Sequence, residues 1–89
     1  MQVFSVHCIQ HGIESSIGVA SSARNAMNMA ADFTPDDVAW NISEQEVVEL
    51  LQEGSFCQFR CSDGSQYKMR GFKLDEQRFS RLHAYASEG

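Results

Sequence analysis

Histidine and cysteine are the side chains of this chain that most readily bind a metal ion or act as nucleophiles, and the sequence has three of each. His7 and His11 are four residues apart, in a segment whose pattern indicates a strand followed by a turn. That spacing directs two side chains to one ion on a helix, but not on an extended strand. The pattern therefore favours two surface histidines over a metal site. His83 lies beside the apolar stripe of a predicted helix, which favours a packed histidine.

The cysteines are odd in number and have no CxxC spacing, which is typical of free thiols in a reducing compartment. They are Cys8, Cys57 and Cys61. The last two share one face of a predicted strand about 13 Å apart, too far for a disulfide or a shared metal ion. A thiol enzyme would also need a histidine within hydrogen-bond reach, and the sequence carries no nucleophile signature. We therefore predict no enzymatic activity and no cofactor, with a thiol- or metal-dependent enzyme as the least favoured alternative.

The acidic residues are concentrated in one segment. Residues 32 to 53 contain seven carboxylates and neither lysine nor arginine, and no cation occurs from residue 25 to 59. A solvated helix face that keeps a small protein soluble would explain many such segments. Against this, Glu49 and Glu53 are four apart, where like charges cost a helix about 0.2–0.5 kcal/mol. The segment also contains Trp40, which either packs in the core, the slightly favoured interpretation, or anchors a partner.

Uncompensated charge beside an aromatic residue is typical of a surface that binds a basic partner, because charge steers the encounter and the aromatic ring anchors it. The predicted partner-binding residues are Asp36, Asp37, Trp40, Glu46, Glu49 and Glu53. A second contact is predicted at a basic strip, defined as Arg60, Lys68 and Arg70. The fold decides whether the acidic residues form one surface.

The elements that position these residues follow from the periodicity of the apolar side chains. Residues 3 to 9 and 13 to 19 each alternate with a period of two, which indicates two half-buried strands. The turn between them contains Gly12, which can adopt a positive φ. The sequence therefore predicts a β-hairpin, with Ile17 and Val19 on the same face of its second strand.

The period then changes to that of a helix. Ser21 or Ser22 can cap its start, and Pro35 disfavours helical geometry at the residue before it. The predicted helix is amphipathic. Its buried face consists of Ala23, Ala26, Met27, Ala30 and Phe33.

A second helix is predicted from about residue 44 to 53. An S-x-x-E capping box begins at Ser43, and Ile42 and Val47 have the spacing of a hydrophobic staple. Gly54 is placed to adopt the left-handed conformation that ends the helix. The predicted buried stripe is Val47, Val48, Leu50 and Leu51, with Glu46, Glu49 and Glu53 on the opposite side.

Residues 56 to 72 predict a second hairpin, and the side chains select its register. A three-residue loop closed by Gly64 sets Phe59 opposite Tyr67 and gathers the apolar residues on one face. A two-residue loop would set Phe59 opposite Lys68 instead. We therefore predict the three-residue loop, which places the basic strip on the other face.

Together these elements predict a single α+β domain over residues 1–89, in the order ββααββα. Its two antiparallel hairpins are expected to join in one four-stranded sheet covered by the helices. The last helix is predicted from about residue 76 to 86, with Asp75 as its N-cap. A chain of 89 residues has room for one domain with a modest core.

Charge and hydropathy narrow the functional classes. The net charge is −5 and the pI is about 5.0, so repulsion from phosphate opposes direct binding to nucleic acid. No apolar run approaches the roughly 20 residues that a bilayer span requires. The first twenty residues also lack the pattern of a secretory signal. We therefore predict a cytoplasmic protein with no membrane partner.

These observations predict a non-enzymatic, acidic protein-binding module. In its most concrete form it is an inhibitor that engages the basic, nucleic-acid-binding surface of a larger protein or nucleoprotein complex. In size and composition the chain is similar to small acidic phage-encoded proteins that block bacterial defence, including anti-CRISPR proteins. The main alternative is a subunit or antitoxin-like adaptor that acts through homo-oligomerisation, as a homodimer joined at a sheet edge or the last helix.

Overall fold

The computed structural model describes residues 1–73. Its elements in chain order are β1 (Gln2–Gln10), β2 (Ile13–Ala20), α1 (Ala23–Phe33), α2 (Glu44–Gly54), β3 (Phe56–Arg60) and β4 (Gln66–Lys73). The strands form one antiparallel sheet in the order β2-β1-β4-β3, and both helices pack on one of its faces. The predicted α+β fold with a single four-stranded sheet is therefore confirmed. The predicted last helix, with Asp75 and His83, lies outside the described residues.

Neither α1 nor α2, the two helices of residues 1–73, is long and apolar enough to cross a membrane. Each has 11 residues.

The first hairpin forms as predicted, with Gly12 at a positive φ of 77°. A β-bulge then shifts the pairing of β2 by one residue, because Gly18 pairs with Val6 and Ile17 is the extra residue. Beyond the bulge Val19 faces away from the helices and is 58% exposed. The prediction that Ile17 and Val19 share one face is therefore wrong.

Helix α1 begins and ends where the sequence predicts. The Ser22 side chain accepts a hydrogen bond from the Asn25 N–H at 3.1 Å, and Thr34 ends the helix in an extended conformation. Four of the five residues predicted to be buried are buried. The exception is Phe33, which is 51% exposed. It lies at the last position of the helix, where its ring meets the edge of the Tyr67 ring at a centroid distance of 6.5 Å.

The caps of α2 differ in detail from the prediction. Ser43 Oγ accepts from the Glu46 N–H at 3.1 Å as expected, but the Glu46 carboxylate accepts from the Ser43 hydroxyl, at 3.3 Å, instead of from the backbone. The left-handed conformation falls on Ser55, at φ 55°, and Gly54 is the last helical residue. This extra residue lets the Ser55 carbonyl accept from the Gly71 N–H at 2.8 Å, which joins the end of α2 to β4.

The buried stripe of α2 is narrower than predicted. Val47, Val48 and Leu51 are each at most 2% exposed, whereas Leu50 is 43% exposed. At 100° per residue, Leu50 lies roughly 100° from the centre of the stripe that the other three define. It therefore reaches the margin of the interface with the sheet and remains partly in solvent.

Strands β3 and β4 pair in the predicted register, with Phe59 opposite Tyr67. Gly64 has a positive φ of 88°, and its N–H donates to the Cys61 carbonyl at 3.0 Å. The three-residue loop is therefore confirmed. Alternation then places the basic strip on the sheet face opposite the helices, which we call the distal face.

The core lies between the helices and the sheet, where a large side chain is flanked by small ones. Phe4 on β1 lies between Ala20 on β2 and Gly71 on β4. A Cβ atom on Gly71 would stand 2.7 Å from a Phe4 ring carbon, so the ring occupies the space that glycine leaves. Val3, on the distal face, is also buried.

Candidate protein-binding surface

The predicted acidic residues are all exposed. They are Asp36 and Asp37, in the turn after α1, and Glu46, Glu49 and Glu53, on the side of α2 away from its buried stripe. Within residues 1–73 the ion pairs are those of Glu14 with His7 and Lys68, so none of these five carboxylates is paired with a cation. Within the described part of the chain, the negative charge of this surface is therefore not compensated by ion pairs.

The α2 helix itself explains part of this charge but not all of it. Glu44 and Glu46 lie in its first turn, where the positive end of the helix dipole stabilises carboxylates. Glu53 lies in the last turn, where the dipole is unfavourable for an anion and no basic residue is present. Glu49 stands one turn before it, and its carboxylate accepts only from the Gln45 amide, at 3.3 Å. The second half of the acidic face therefore destabilises the helix that carries it.

Trp40 is half-buried and packs against the aromatic part of the core. Its ring centroid lies 4.7 Å from that of Phe59 and 5.9 Å from that of Tyr67. Its Nε1–H donates to Thr34 Oγ1 at 3.1 Å. One side of the indole is thus fixed against the core, and its remaining surface faces the segment between the helices.

The hydroxyl of Thr34 holds this arrangement together. It lies 2.7 Å from the Ala30 carbonyl, which can only accept, so the single hydroxyl hydrogen is donated there. The Tyr67 hydroxyl, also at 2.7 Å, must therefore donate to Thr34, as the Trp40 indole does. One donated and two accepted bonds use the full capacity of a threonine hydroxyl. The end of α1, the Trp40 segment and β4 are connected through this one atom.

The backbone on either side of Trp40 is bound to the end of β3. The Asn41 N–H donates to the Arg60 carbonyl at 3.1 Å, and the Ser62 N–H donates to the Ala39 carbonyl at 2.7 Å. In return, the Ala39 N–H donates to Ser62 Oγ at 2.9 Å. These bonds form one additional β-bridge, between Trp40 and Cys61, next to the end of β3. They also fix the direction of the Trp40 side chain.

A groove of about 400 Å³ opens between the end of α1 and the start of α2. It is lined by Ala31, Thr34, Pro35, Asp36, Val38, Trp40, Ile42, Ser43 and Glu44. The groove brings Asp36 and Trp40 together, as the predicted site requires, and adds the carboxylate of Glu44. Asp37, Glu46, Glu49 and Glu53 do not line it. Of the lining residues that were not predicted to bind a partner, Pro35, Ile42 and Ser43 had sequence signals, but as markers of helix ends and not as site residues.

The predicted second contact lies on the other side of the molecule. Arg60, Lys68 and Arg70 are on the distal face, separated from α2 by the sheet. Lys68 Nζ lies 3.6 Å from Glu14 Oε1, and His7 Nδ1 lies 3.3 Å from the other oxygen of that carboxylate. The contact of His7 with Glu14 lacks hydrogen-bond geometry. It is an ion pair only when the imidazole is protonated. One strip cation is therefore partly neutralised within the fold.

The three cysteines are buried and unpaired with one another. Burial raises the pKa of each thiol, most directly at Cys57, where no other cause contributes. A nucleophilic cysteine needs a lowered pKa and access to substrate, so this environment is the opposite of what a thiol enzyme uses. Among residues 1–73, no three His, Cys, Asp or Glu side chains are grouped so that they could hold a metal ion.

Comparison of the chain with protein-family models, with curated proteins and with solved structures found no match.

Proposed function

We propose that this chain is a non-enzymatic protein-binding module that uses its acidic surface to engage a basic surface on a larger partner. The partner is a protein or nucleoprotein complex whose basic surface ordinarily binds nucleic acid. In this role the chain inhibits its target by occupying that surface, as an inhibitor of the phage anti-defence, anti-CRISPR type. Electrostatic complementarity would accelerate the encounter and make the complex sensitive to salt.

The observation that carries this proposal is the position of Glu49 and Glu53. A carboxylate pair at i and i+4 costs a helix about 0.2–0.5 kcal/mol, and a carboxylate in the last turn opposes the helix dipole. No cation among residues 1–73 pairs with either residue. Solubility alone does not require charge at positions that weaken the helix, whereas a basic partner would convert this cost into attraction.

The test is to neutralise the acidic face and ask whether a partner is lost. Wild-type protein and the variant Glu46→Gln/Glu49→Gln/Glu53→Gln are immobilised and exposed to cell lysate. The wild type is expected to retain a protein that the variant does not, and added duplex DNA or raised salt should release it. DNA releases the partner because it competes for the same basic surface.

A matched control separates local from total charge. The variant Gln10→Lys/Ser16→Lys/Gln58→Lys also raises the net charge by three, at exposed positions outside α2. It should retain the partner. If both variants lose the partner equally, or if neither does, the acidic face of α2 is not the binding surface.

A second candidate function, as a self-associating subunit, is favoured by one edge of the sheet, which no other strand of residues 1–73 covers. Strand β2 lies at that edge, and Ile13 and Val19 on it are 68% and 58% exposed. The strand has neither lysine nor proline, the residues that commonly protect edges from pairing. In sedimentation, the mass of the wild-type protein should rise with its concentration. The variant Val19→Lys should have the mass of one chain at every concentration. A wild-type protein that is monomeric at all concentrations contradicts this candidate.

A further inference from the structure

The groove between α1 and α2 has a chemistry of its own, distinct from the convex acidic face of α2. We propose that it receives one arginine side chain of the partner, whose guanidinium meets Asp36 and Glu44 while its aliphatic stem lies along Trp40. This inference rests on the proposed function and specifies the partner group that enters the acidic surface.

The charge of the groove selects a cation. Two carboxylates, Asp36 and Glu44, contribute to its lining, and within residues 1–73 no lysine, arginine or histidine does. The positive end of α2 also opens here, but Glu44 and Glu46 in its first turn already offset it. Ser43 directs its hydroxyl to the Glu46 carboxylate and accepts from the backbone, so it is not available to bind an anion.

The hydrogen-bonding groups of the groove also favour a cationic ligand. The indole N–H of Trp40 and the hydroxyl of Thr34 are both used within the fold. The side chains of the groove therefore offer acceptors and apolar surface, and few donors. A ligand that supplies donors at one end and apolar surface along its length is complementary to this set, and the long basic side chains have that form.

Arginine fits better than lysine because its planar guanidinium has five donors in a fork, which suits more than one carboxylate. The aliphatic stem of either side chain can lie on an aromatic ring. Trp40 offers the ring surface that Phe59, 4.7 Å away on the core side, does not cover. The groove volume of about 400 Å³ is ample for one such side chain.

The groove is also fixed before any ligand arrives. Trp40 is held by the Thr34 hydroxyl at 3.1 Å and by the hydrogen bonds of Ala39 and Asn41 to the end of β3. Little side-chain entropy therefore remains to be lost at this residue when a partner binds. A preformed site of this kind can bind a single side chain detectably, although weakly.

The test uses the protein alone with synthetic peptides. The chain has one tryptophan, so its single indole N–H resonance reports on the groove. The resonance is followed by NMR during titration with three blocked pentapeptides that carry a central arginine, lysine or citrulline between glycines. Citrulline keeps the shape of arginine and removes its charge.

We expect a saturable shift of the Trp40 resonance with the arginine peptide, and affinity for lysine that is weaker by about threefold. That factor corresponds to about 0.7 kcal/mol at 1.4 kcal/mol per factor of ten, within the net range of one hydrogen bond, which the forked guanidinium can add by bonding both carboxylates. The citrulline peptide should give no saturable shift. Nuclear Overhauser contacts between the arginine methylenes and the indole ring should appear in the wild-type protein, without any substitution.

Two variants locate the site. Asp36→Asn/Glu44→Gln should abolish binding of the arginine peptide, and Glu49→Gln/Glu53→Gln, with the same net charge but outside the groove, should preserve it. Equal binding of the three peptides, loss of binding in both variants, or retention in the first would overturn the inference.

Failure of this inference and failure of the proposed function give different results. If retention of the partner depends on the acidic face of α2 but the arginine peptide does not shift the Trp40 resonance, the groove is not an arginine site. If the peptide binds and no lysate protein depends on that face, the proposed function fails and the groove chemistry stands.

Discussion

The hydroxyl of Thr34 is the point at which the groove can be tested most directly by substitution. Thr34→Val keeps the shape and the β-branching of the side chain but removes the atom that bonds Ala30, Tyr67 and Trp40. Valine suits the extended conformation of this residue, with φ −78° and ψ 127°, so the backbone is not strained. The substitution therefore isolates the hydrogen bonds.

The expected loss of folding stability follows from what each hydrogen-bond partner of Thr34 loses in the valine variant. The Ala30 carbonyl still accepts from the Thr34 N–H at 3.0 Å, so it is not left unsatisfied. The bond of the Trp40 N–H to Thr34 is only part-buried, so its loss costs less than that of a fully buried bond. The Tyr67 hydroxyl belongs to a residue that is 2% exposed, and its O–H loses the acceptor to which it donates in a buried site. A buried polar group without a partner costs about 1–3 kcal/mol, so we expect a loss of about 2 kcal/mol.

Urea unfolding followed by tryptophan fluorescence measures this loss. With a slope of about 1 kcal/mol per molar for a small domain, the midpoint should fall by about 2 M. Thr34→Ser keeps the hydroxyl and is the control, expected to lose less than about 1 kcal/mol with the removed methyl group. Tyr67→Phe alone should cost about 1 kcal/mol, the net value of one hydrogen bond.

The double variant Thr34→Val/Tyr67→Phe tests whether the Tyr67 hydroxyl depends on Thr34. It has no unsatisfied phenol, so it should be no less stable than Thr34→Val alone, although the two single losses add to about 3 kcal/mol. A coupling of more than about 1 kcal/mol is expected between residues that share one hydrogen bond. Strict additivity within about 0.5 kcal/mol would show that Tyr67 does not depend on Thr34 and would refute the bonding pattern described for this hydroxyl.

Two further predictions concern the sheet and its titratable groups. Gly71→Ala should destabilise the protein by about 1–3 kcal/mol in urea unfolding, because the new Cβ would stand 2.7 Å from the Phe4 ring. Gly54→Ala, in a helix and with nothing within 4 Å, should stabilise it by up to about 1 kcal/mol, and the opposite order would contradict the packing. Burial raises the pKa of the three thiols and of Tyr67, so the folded chain retains protons that the unfolded chain releases above about pH 8.5 for thiols and about pH 10 for the phenol. Stability should therefore not change through these groups between pH 7 and 8 and should fall above about pH 8.5, with a smaller fall above pH 10 in Tyr67→Phe.

The features predicted correctly depend on local chemistry. Gly64 permits the positive φ of a three-residue loop, and the alternation on either side agrees with that loop, so two independent signals select the register of β3 and β4. Ser22 and Ser43 are likewise capping residues whose effect reaches only three positions along the chain. Such features are determined before tertiary packing begins.

The errors arise where a neighbouring element decides the outcome. The bulge before Gly18 is one case, because a Cβ there would lie 3.0 Å from Met29 of α1, a contact that no pattern within β2 reveals. The exposure of Leu50 depends on how α2 is rotated over the sheet. The groove depends on three segments at once, and Thr34 has no sequence signal beyond its place before a proline. The exposure of the acidic residues is predictable because charge belongs at the surface in any fold.

The stability of α2 shows why its charge is available for function. Repulsion between Glu49 and Glu53, together with the unfavourable dipole, costs roughly 1 kcal/mol. The burial of Val47, Val48 and Leu51 contributes about 1.5–3 kcal/mol for each side chain, which exceeds that cost several-fold. Packing on the sheet therefore holds the helix whatever charges its outer face carries. Since the outer glutamates can be neutralised without unfolding the protein, a change in binding after their substitution reports on the surface and not on the fold.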